Sequence, residues 1–283
     1  MGFPMARNVL RAGFPLIVWN RTTERATPLA AEGAQPVPDP ASLAAADVVI
    51  TMLTDGRAAR AVLVDSGLLE QMRPGSVVLE MSTIGPAAVA DIAAEATRHD
   101  VYLLDAPVSG SVSVDEAAQL FAMVGGDRGA YKRVERVLDA MTKGHMLLGP
   151  SGAGAAMKLA VNAMIAVTNE SLAETLVLAE RFGIERGRAY DVLSAGVLAS
   201  PFIAYKRGAF LMPETEKVAF TTNLMRKDLS LAEDLACELG VRLPTVAAAA
   251  NVLDEAQRGG LGEADMASVI TVLSNHDDLT EER

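Results

Sequence analysis

Gly149-Pro150-Ser151-Gly152-Ala153-Gly154-Ala155-Ala156-Met157-Lys158-Leu159-Ala160-Val161-Asn162 decides how the rest of the chain is read. The three glycines permit positive φ and close backbone approach. Residues 155–181 contain good helix formers and neither Gly nor Pro, so a long helix is predicted to start near Ala153. Lys158 and Asn162 then lie one turn apart on one face, within reach of one small molecule. Taken alone, a solvated lysine and a polar helix residue explain most pairs with this spacing.

Outward from this turn the chain changes character. Upstream, apolar runs at 47–53, 76–81, 101–104, 120–124 and 146–148 read as strands of a buried sheet. The first ten residues read as a helix ending at Gly13, followed by a strand at 14–19 and a helix at 24–32. Downstream, helical patterns occupy 186–194, 201–211, 224–239, 245–258 and 266–274, punctuated by Gly and Pro, and the charged residues 277–283 read as a frayed tail. The fold class expected is α/β, a dinucleotide-binding domain over 1–149 followed by an all-helical domain over 150–283, joined by the long helix.

Composition narrows the function. The 283 residues suffice for two domains, and the net charge of −11 argues against a nucleic-acid surface. No apolar stretch reaches membrane-spanning length without Gly, Pro or charge, and no secretory leader is recognisable. A single cysteine, Cys237, excludes an intramolecular disulfide and suits a reducing cytosol; its helical setting predicts a buried, inert thiol. His99, His145 and His276 lack ligand-like spacing, so no metal site is expected.

The pattern Gly-x-x-Gly-x-Gly-x-x-x-Lys-x-x-x-Asn at 149–162 resembles the catalytic segment of the β-hydroxyacid dehydrogenase family, which includes 3-hydroxyisobutyrate dehydrogenases and tartronate, glyoxylate and succinic semialdehyde reductases. The resemblance runs over nearly the whole chain. It implies that Lys158 is the proton donor and acceptor and that Asn162 binds substrate. Asp105-Ala106-Pro107-Val108-Ser109-Gly110-Ser111 is similar to the family's anion loop, implying that Ser109, Gly110 and Ser111 hold the substrate carboxylate, although the family has a second glycine where this chain has Ser111. Such a loop meets a physical need, because a carboxylate leaving water must find several donors. Ser82-Thr83-Ile84-Gly85-Pro86, with Glu80 in place of an aspartate, implies Thr83 near the nicotinamide, and Leu53 and Thr54 match its ribose contacts. Ser82 or Thr83 is also predicted to cap the helix that starts at Pro86. After Phe220, the Lys227-Asp228-Leu229 run resembles the family motif whose lysine approaches the cofactor; without the resemblance it reads as a solvated helix pair.

The family's Gly-x-Gly-x-x-Gly fingerprint is met only at its end, where Gly2 matches the last glycine. The first strand and two earlier glycines are missing from the sequence, and the expectation is that the reading frame extends upstream of Met1, a genuine short form being the alternative. Without that central strand the sheet should divide and expose two strand edges. At the ribose position an acidic residue would select NAD, whereas Asn20-Arg21-Thr22 suits a 2′-phosphate, so NADP is expected over NAD. Thr22 also reads as an N-cap for the helix at 24–32.

The expected activity is hydride transfer between NADP and a small β-hydroxy acid or semialdehyde. Lys158 gives a proton to the nascent alkoxide in reduction; in oxidation it must lose one, which requires a pKa below the usual ~10.4. The expected partners are such a small molecule and further copies of the chain, as a homodimer or homotetramer in the cytoplasm. An imine reductase shares the cofactor loop but usually has Asp or Tyr in place of the lysine, and a 6-phosphogluconate dehydrogenase needs a longer helical domain. A non-catalytic scaffold is the alternative from another class, supported only by the incomplete fingerprint.

Overall fold

The computed structural model describes residues 1–110 and 118–274. Ser111, assigned to the anion loop, lies outside the described residues. The chain forms two compact units, Met1–Leu159 and the residues from Ala160 onward.

In the first unit the elements are α1 (Gly2–Arg11), β1 (Ile17–Val18), α2 (Thr27–Ala31), β2 (Gln35–Pro36), β3 (Val48–Thr51), α3 (Gly56–Arg60), α4 (Leu68–Gln71), β4 (Val77–Glu80), α5 (Pro86–Arg98), β5 (Tyr102–Asp105), β6 (Val108–Ser109), β7 (Leu120–Gly125), α6 (Arg128–Met141) and β8 (Thr142–Gly149). The strands form a two-stranded sheet, β1–β2, and a six-stranded sheet, β3–β4–β5–β7–β6 with β8 paired to β7. Strands β3, β4 and β5 run parallel in direct register, while β7 is antiparallel to β6 and to the end of β5. The strands of the described residues thus fall into two separate sheets, as expected.

Strand β4 is buried along its whole length, which is why it reads as an unbroken apolar run. Its alternate residues feed two cores: Val77 and Leu79 face one cluster with Leu104, Val124 and Leu138, and Val78 faces another with Leu63, Leu68 and Ile92. Helix α1 ties the two sheets together. Met5 and Val9 join the cluster that holds Val48 and Ile50, whereas Phe3, Ala6 and Leu10 pack with Val18, Leu29 and Ala34 from the β1–β2 side. Arg7 adds a forked ion pair to Glu32 on its polar face.

Several expectations need correction. The helix expected at 24–32 is broken into a 3₁₀ turn, Thr23–Arg25, and α2, because Pro28 lacks an N–H and is tolerated only in a first turn. The Thr22 side chain makes no cap. Neither Ser82 nor Thr83 caps α5; Gly85 holds that position, and the Ser82 hydroxyl instead accepts the Leu53 N–H at 2.7 Å. Strand β8 extends from Thr142, well before residue 146, because pairing with β7 recruits polar residues that carry no strand pattern of their own.

The second unit contains most of α7 (Ala153–Arg181), then α8 (Arg186–Ala195), α9 (Pro201–Leu211), α10 (Thr222–Glu238), α11 (Pro244–Arg258) and α12 (Val269–Ser274). Its buried polar anchor is Asp265, which takes the Lys206 ammonium on one oxygen and the Ala219 N–H, at 2.9 Å, on the other. Burial draws the Lys206 pKa down, and the Asp265 charge opposes that shift. Cys237 is exposed, contrary to expectation. The buried stripe of α10 runs through Met225, Leu229 and Ala232, and Cys237 lies off it.

Glu170 on α7 is only 6% exposed, and burial pushes its carboxyl from 4.5 to about 8, with the charge of Glu174 adding to the rise. Asn169 beside it pulls the other way, and neither carboxyl oxygen reaches a partner at hydrogen-bond geometry among the described residues. The native state therefore holds a proton that the unfolded chain releases, so the contribution to stability is full below 4.5 and is lost as pH rises through about 8. Replacing Glu170 with Gln should flatten the pH dependence of unfolding over this window, removing a fall of up to about 4 kcal/mol. Parallel denaturation curves for the two proteins from pH 5 to 8 would refute this.

Candidate active site

The turn at 149–154 is built for close approach. Gly152 has φ +90°, and the Gly154 Cα packs so tightly that an added Cβ would collide with the Met123 carbonyl oxygen and lie 2.7 Å from that of Asp105. Helix α7 begins against this wall and carries Lys158, half-buried, and Asn162, 3% exposed. The boundary between the two units falls after Leu159, so Lys158 belongs to the first and Asn162 to the second.

Beneath the start of α7 lies a row of polar residues that the sequence reading did not single out for a role. Thr51, Glu80 and Asp105 are in register on β3, β4 and β5, so their side chains share one sheet face. Asp105 is fully buried; one carboxylate oxygen accepts the Gly152 N–H and the other the Ala155 N–H, each at 2.8 Å. Burial raises its pKa, and the hydrogen bonds from Gly152 and Ala155 pull the other way. Glu80, also fully buried, accepts the Thr51 hydroxyl at 2.5 Å and the Ser82 N–H at 2.8 Å. Its carboxyl too is pushed up by burial, against these hydrogen bonds, with a small further rise from the Asp105 charge. Through Ser82 and Leu53 the network ties together the loops that follow β3 and β4. The sequence does carry a signal for it: Thr51 and Glu80 interrupt apolar runs, and Asp105 ends one.

Around this row the residues expected at the site take these places. Leu53 is half-buried and Thr54 exposed at the end of β3, and Thr83 is half-buried just beyond β4. Gly2, at the N-terminus of α1, lies against Met52, so that this helix end sits beside the carboxyl end of β3. No side chain among the described residues caps α1, leaving its first N–H groups able to meet an anion. Asn20, Arg21 and Thr22 are exposed beyond β1, where the Asn20 side chain accepts the Thr22 N–H at 2.9 Å and shapes the loop around Arg21. Ser109 is half-buried at the end of β6, and Gly110 follows with φ +140°, a conformation that favours glycine. This donor set suits a dinucleotide: helix-end amides for a pyrophosphate and a guanidinium for a second phosphate.

In the second unit Asn162 donates its Nδ2 hydrogen to Asp228 Oδ2, while Lys227 pairs with Asp228 Oδ1 at 2.9 Å. Asp228 is 2% exposed, so the solvated-pair reading of Lys227-Asp228 does not hold. An ionised carboxylate only accepts hydrogen bonds, so it dictates which way round the Asn162 amide sits. No group of three or more metal-ligating side chains occurs among the described residues, and none of their helices is long and apolar enough to cross a membrane.

Comparison with known proteins bears on both halves of the chain. Residues 1–149 match the family described as the NAD binding domain of 6-phosphogluconate dehydrogenase, and residues 152–273 the family described as NAD-binding of NADP-dependent 3-hydroxyisobutyrate dehydrogenase. Glyoxylate/succinic semialdehyde reductase 1 of Arabidopsis thaliana is 33% identical over 95% of this chain and 94% of its own. The crystal structure of 3-hydroxyisobutyrate dehydrogenase from Salmonella typhimurium superimposes with a TM-score of 0.88 at 27% identity, covering 96% of this chain and 95% of that one. The Mycobacterium tuberculosis 3-hydroxyisobutyrate dehydrogenase, with L-serine, gives 0.86 at 32% identity, again covering 96% and 95%.

The close wall at Gly154 yields a direct test. A methyl group there would strike backbone atoms on β5 and β7 that cannot turn aside, so Gly154→Ala should lose about 1–3 kcal/mol or more of stability despite alanine's better helix propensity. Denaturant titration against the parent chain measures it, and an unchanged or raised midpoint would show that the wall gives way.

Proposed function

The chain belongs to the β-hydroxyacid dehydrogenase family and is an NAD(P)-dependent oxidoreductase acting on CH–OH groups; from that premise we propose that Lys158 is its proton donor and acceptor and NADP its cofactor. The observation that carries the reading is the placement of Lys158 in the first turns of α7, directly after a turn packed against the carboxyl ends of β5 and β7. Ligands in open α/β sheets bind at the carboxyl ends of strands. In this reading residues 1–149 hold the dinucleotide, and the substrate is a small β-hydroxy acid or semialdehyde.

The nicotinamide cofactor supplies or takes the hydride at the substrate carbon. The protein's own part is proton transfer and positioning. In reduction the Lys158 ammonium gives its proton to the oxygen as negative charge develops there; in oxidation the neutral amine takes the proton of the alcohol. Ser109 and the Gly110 N–H hold the substrate carboxylate, with Ser111 assigned the same role. The Asn162 amide, oriented by Asp228, fixes the substrate about its reacting carbon. The uncapped end of α1 at Gly2 meets the pyrophosphate, Leu53, Thr54 and Thr83 line the nicotinamide end, Lys227 approaches the cofactor, and Asn20, Arg21 and Thr22 read the adenosine ribose. The exposed Arg21 on a loop without a carboxylate at the ribose position is the support for NADP over NAD. Exposed Leu178 on α7 and Phe182 just beyond its end support self-association as a homodimer or homotetramer, and the cysteine-poor composition supports a cytoplasmic setting.

Lys158→Ala should lower kcat by about 10²–10⁴-fold in a screen of small semialdehydes and hydroxy acids, while NADPH binding followed by fluorescence changes little. Turnover equal to wild type would remove Lys158 from the mechanism. Arg21→Ala should weaken NADPH by about ten- to hundred-fold, as expected for a lost charge-assisted contact, and leave NADH nearly as before. Equal losses for both cofactors in titrations would overturn the 2′-phosphate assignment.

A further inference from the structure

We propose that Asp105 is the positioning residue of the reaction: its buried carboxylate fastens the first turn of α7 to the end of β5 and so sets the place of Lys158 relative to the Ser109–Gly110 loop. The inference rests on the assignment of Lys158 as proton donor.

Three observations meet at this carboxylate. First, it takes two backbone donors of one turn, Gly152 and Ala155, one on each oxygen. The N–H groups at the start of a helix have no partner within it, and a negative charge there also opposes the positive end of the helix dipole. Asp105 therefore caps α7 from another strand, in a place where a local capping residue would normally stand. Second, the carboxylate is walled by glycines. A Cβ on Gly125, its register partner on β7, would lie 2.6 and 2.8 Å from the two carboxylate oxygens, and one on Gly154 would lie 3.0 Å from Oδ2. The wall leaves the side chain little room to move. Third, the backbone that carries Asp105 runs on through Ala106 and Pro107 into β6, reaching Ser109 and Gly110 four and five residues later. The lysine-bearing helix and the anion loop thus share one anchor. Proton transfer demands near-attack geometry, and a displacement of about 1 Å in such an arrangement costs on the order of 10²-fold in rate.

The test is Asp105→Asn in the full chain. An amide of the same size keeps one acceptor oxygen and turns an N–H group toward one of the two backbone donors. The result expected is a kcat lower by about 10–100-fold, with the NADPH dissociation constant within about two-fold of wild type. In the oxidative direction the limb of the pH–rate profile that reports proton loss from Lys158 should move to lower pH, because a negative charge has been removed from the start of the helix that carries it. A folded Asp105→Asn protein with wild-type kcat and an unmoved profile would overturn the proposal. Wild-type turnover in Lys158→Ala would instead sink the assignment on which it rests, so the two failures are distinguishable. Should Asp105→Asn not fold, amide hydrogen exchange on the unaltered protein decides: Gly152 and Ala155 are expected among the protected amides, and rapid exchange at both would show that the carboxylate does not hold the turn.

Discussion

A carboxylate with no access to water, meeting two peptide N–H groups, joins the sheet of this protein to its longest helix. Burying Asp105 is costly, since an ionised group leaving water loses its hydration and must be repaid in hydrogen bonds. The first turn of α7 supplies them at Gly152 and Ala155. The same turn has backbone donors that no residue of its own helix can satisfy. Each side thus offsets the other's deficit. The glycines around the carboxylate follow from this contact, because any side chain at Gly125 or Gly154 would occupy the space it needs.

The neighbouring strand repeats the device with a different purpose. Glu80 draws in Thr51 and Ser82, and Ser82 in turn receives the Leu53 N–H, so two loops at the carboxyl ends of β3 and β4 are tied to one buried group. A row of polar residues is unusual across strands as apolar as β3 and β4, and the two raised carboxyl pKa values express what burial costs there. Such networks rigidify when every member is satisfied. Here the rigidity is placed where the strands end and the loops assigned to cofactor and substrate begin.

The helical unit uses the same chemistry more sparingly. Asp265 gathers Lys206 and the backbone before α10, and Asp228 couples Asn162 to Lys227. In both cases a buried carboxylate serves as the hub and several donors converge on it. The Asp228 hub gives Asn162 a defined amide orientation, which a substrate-orienting role requires and which a freely flipping amide would lack.

The sequence by itself determined the alternation of apolar runs and helical patterns, the start of α7 near Ala153, and the glycine spacing before Lys158. These are local properties: period, breaker positions and propensity act within a few residues of one another. The resemblance carried by the Lys-x-x-x-Asn segment and its neighbours likewise needed only the order of residues, and it identified the family. What the tertiary structure decided lies between segments. That Thr51, Glu80 and Asp105 stand in one row depends on the register of three strands far apart in the chain. Asp105 is separated by nearly fifty residues from the amides it caps, and Asp228 by more than sixty from the amide it orients. No pattern along the chain encodes such a pairing. The same holds for the misread cases: Cys237 is exposed because the stripe of α10 turns away from it, and Ser82 is withdrawn from the helix it precedes because Leu53, across a strand pair, offers the donor it accepts. Hydrogen-bond partners are chosen by distance in space, and only the folded chain sets those distances.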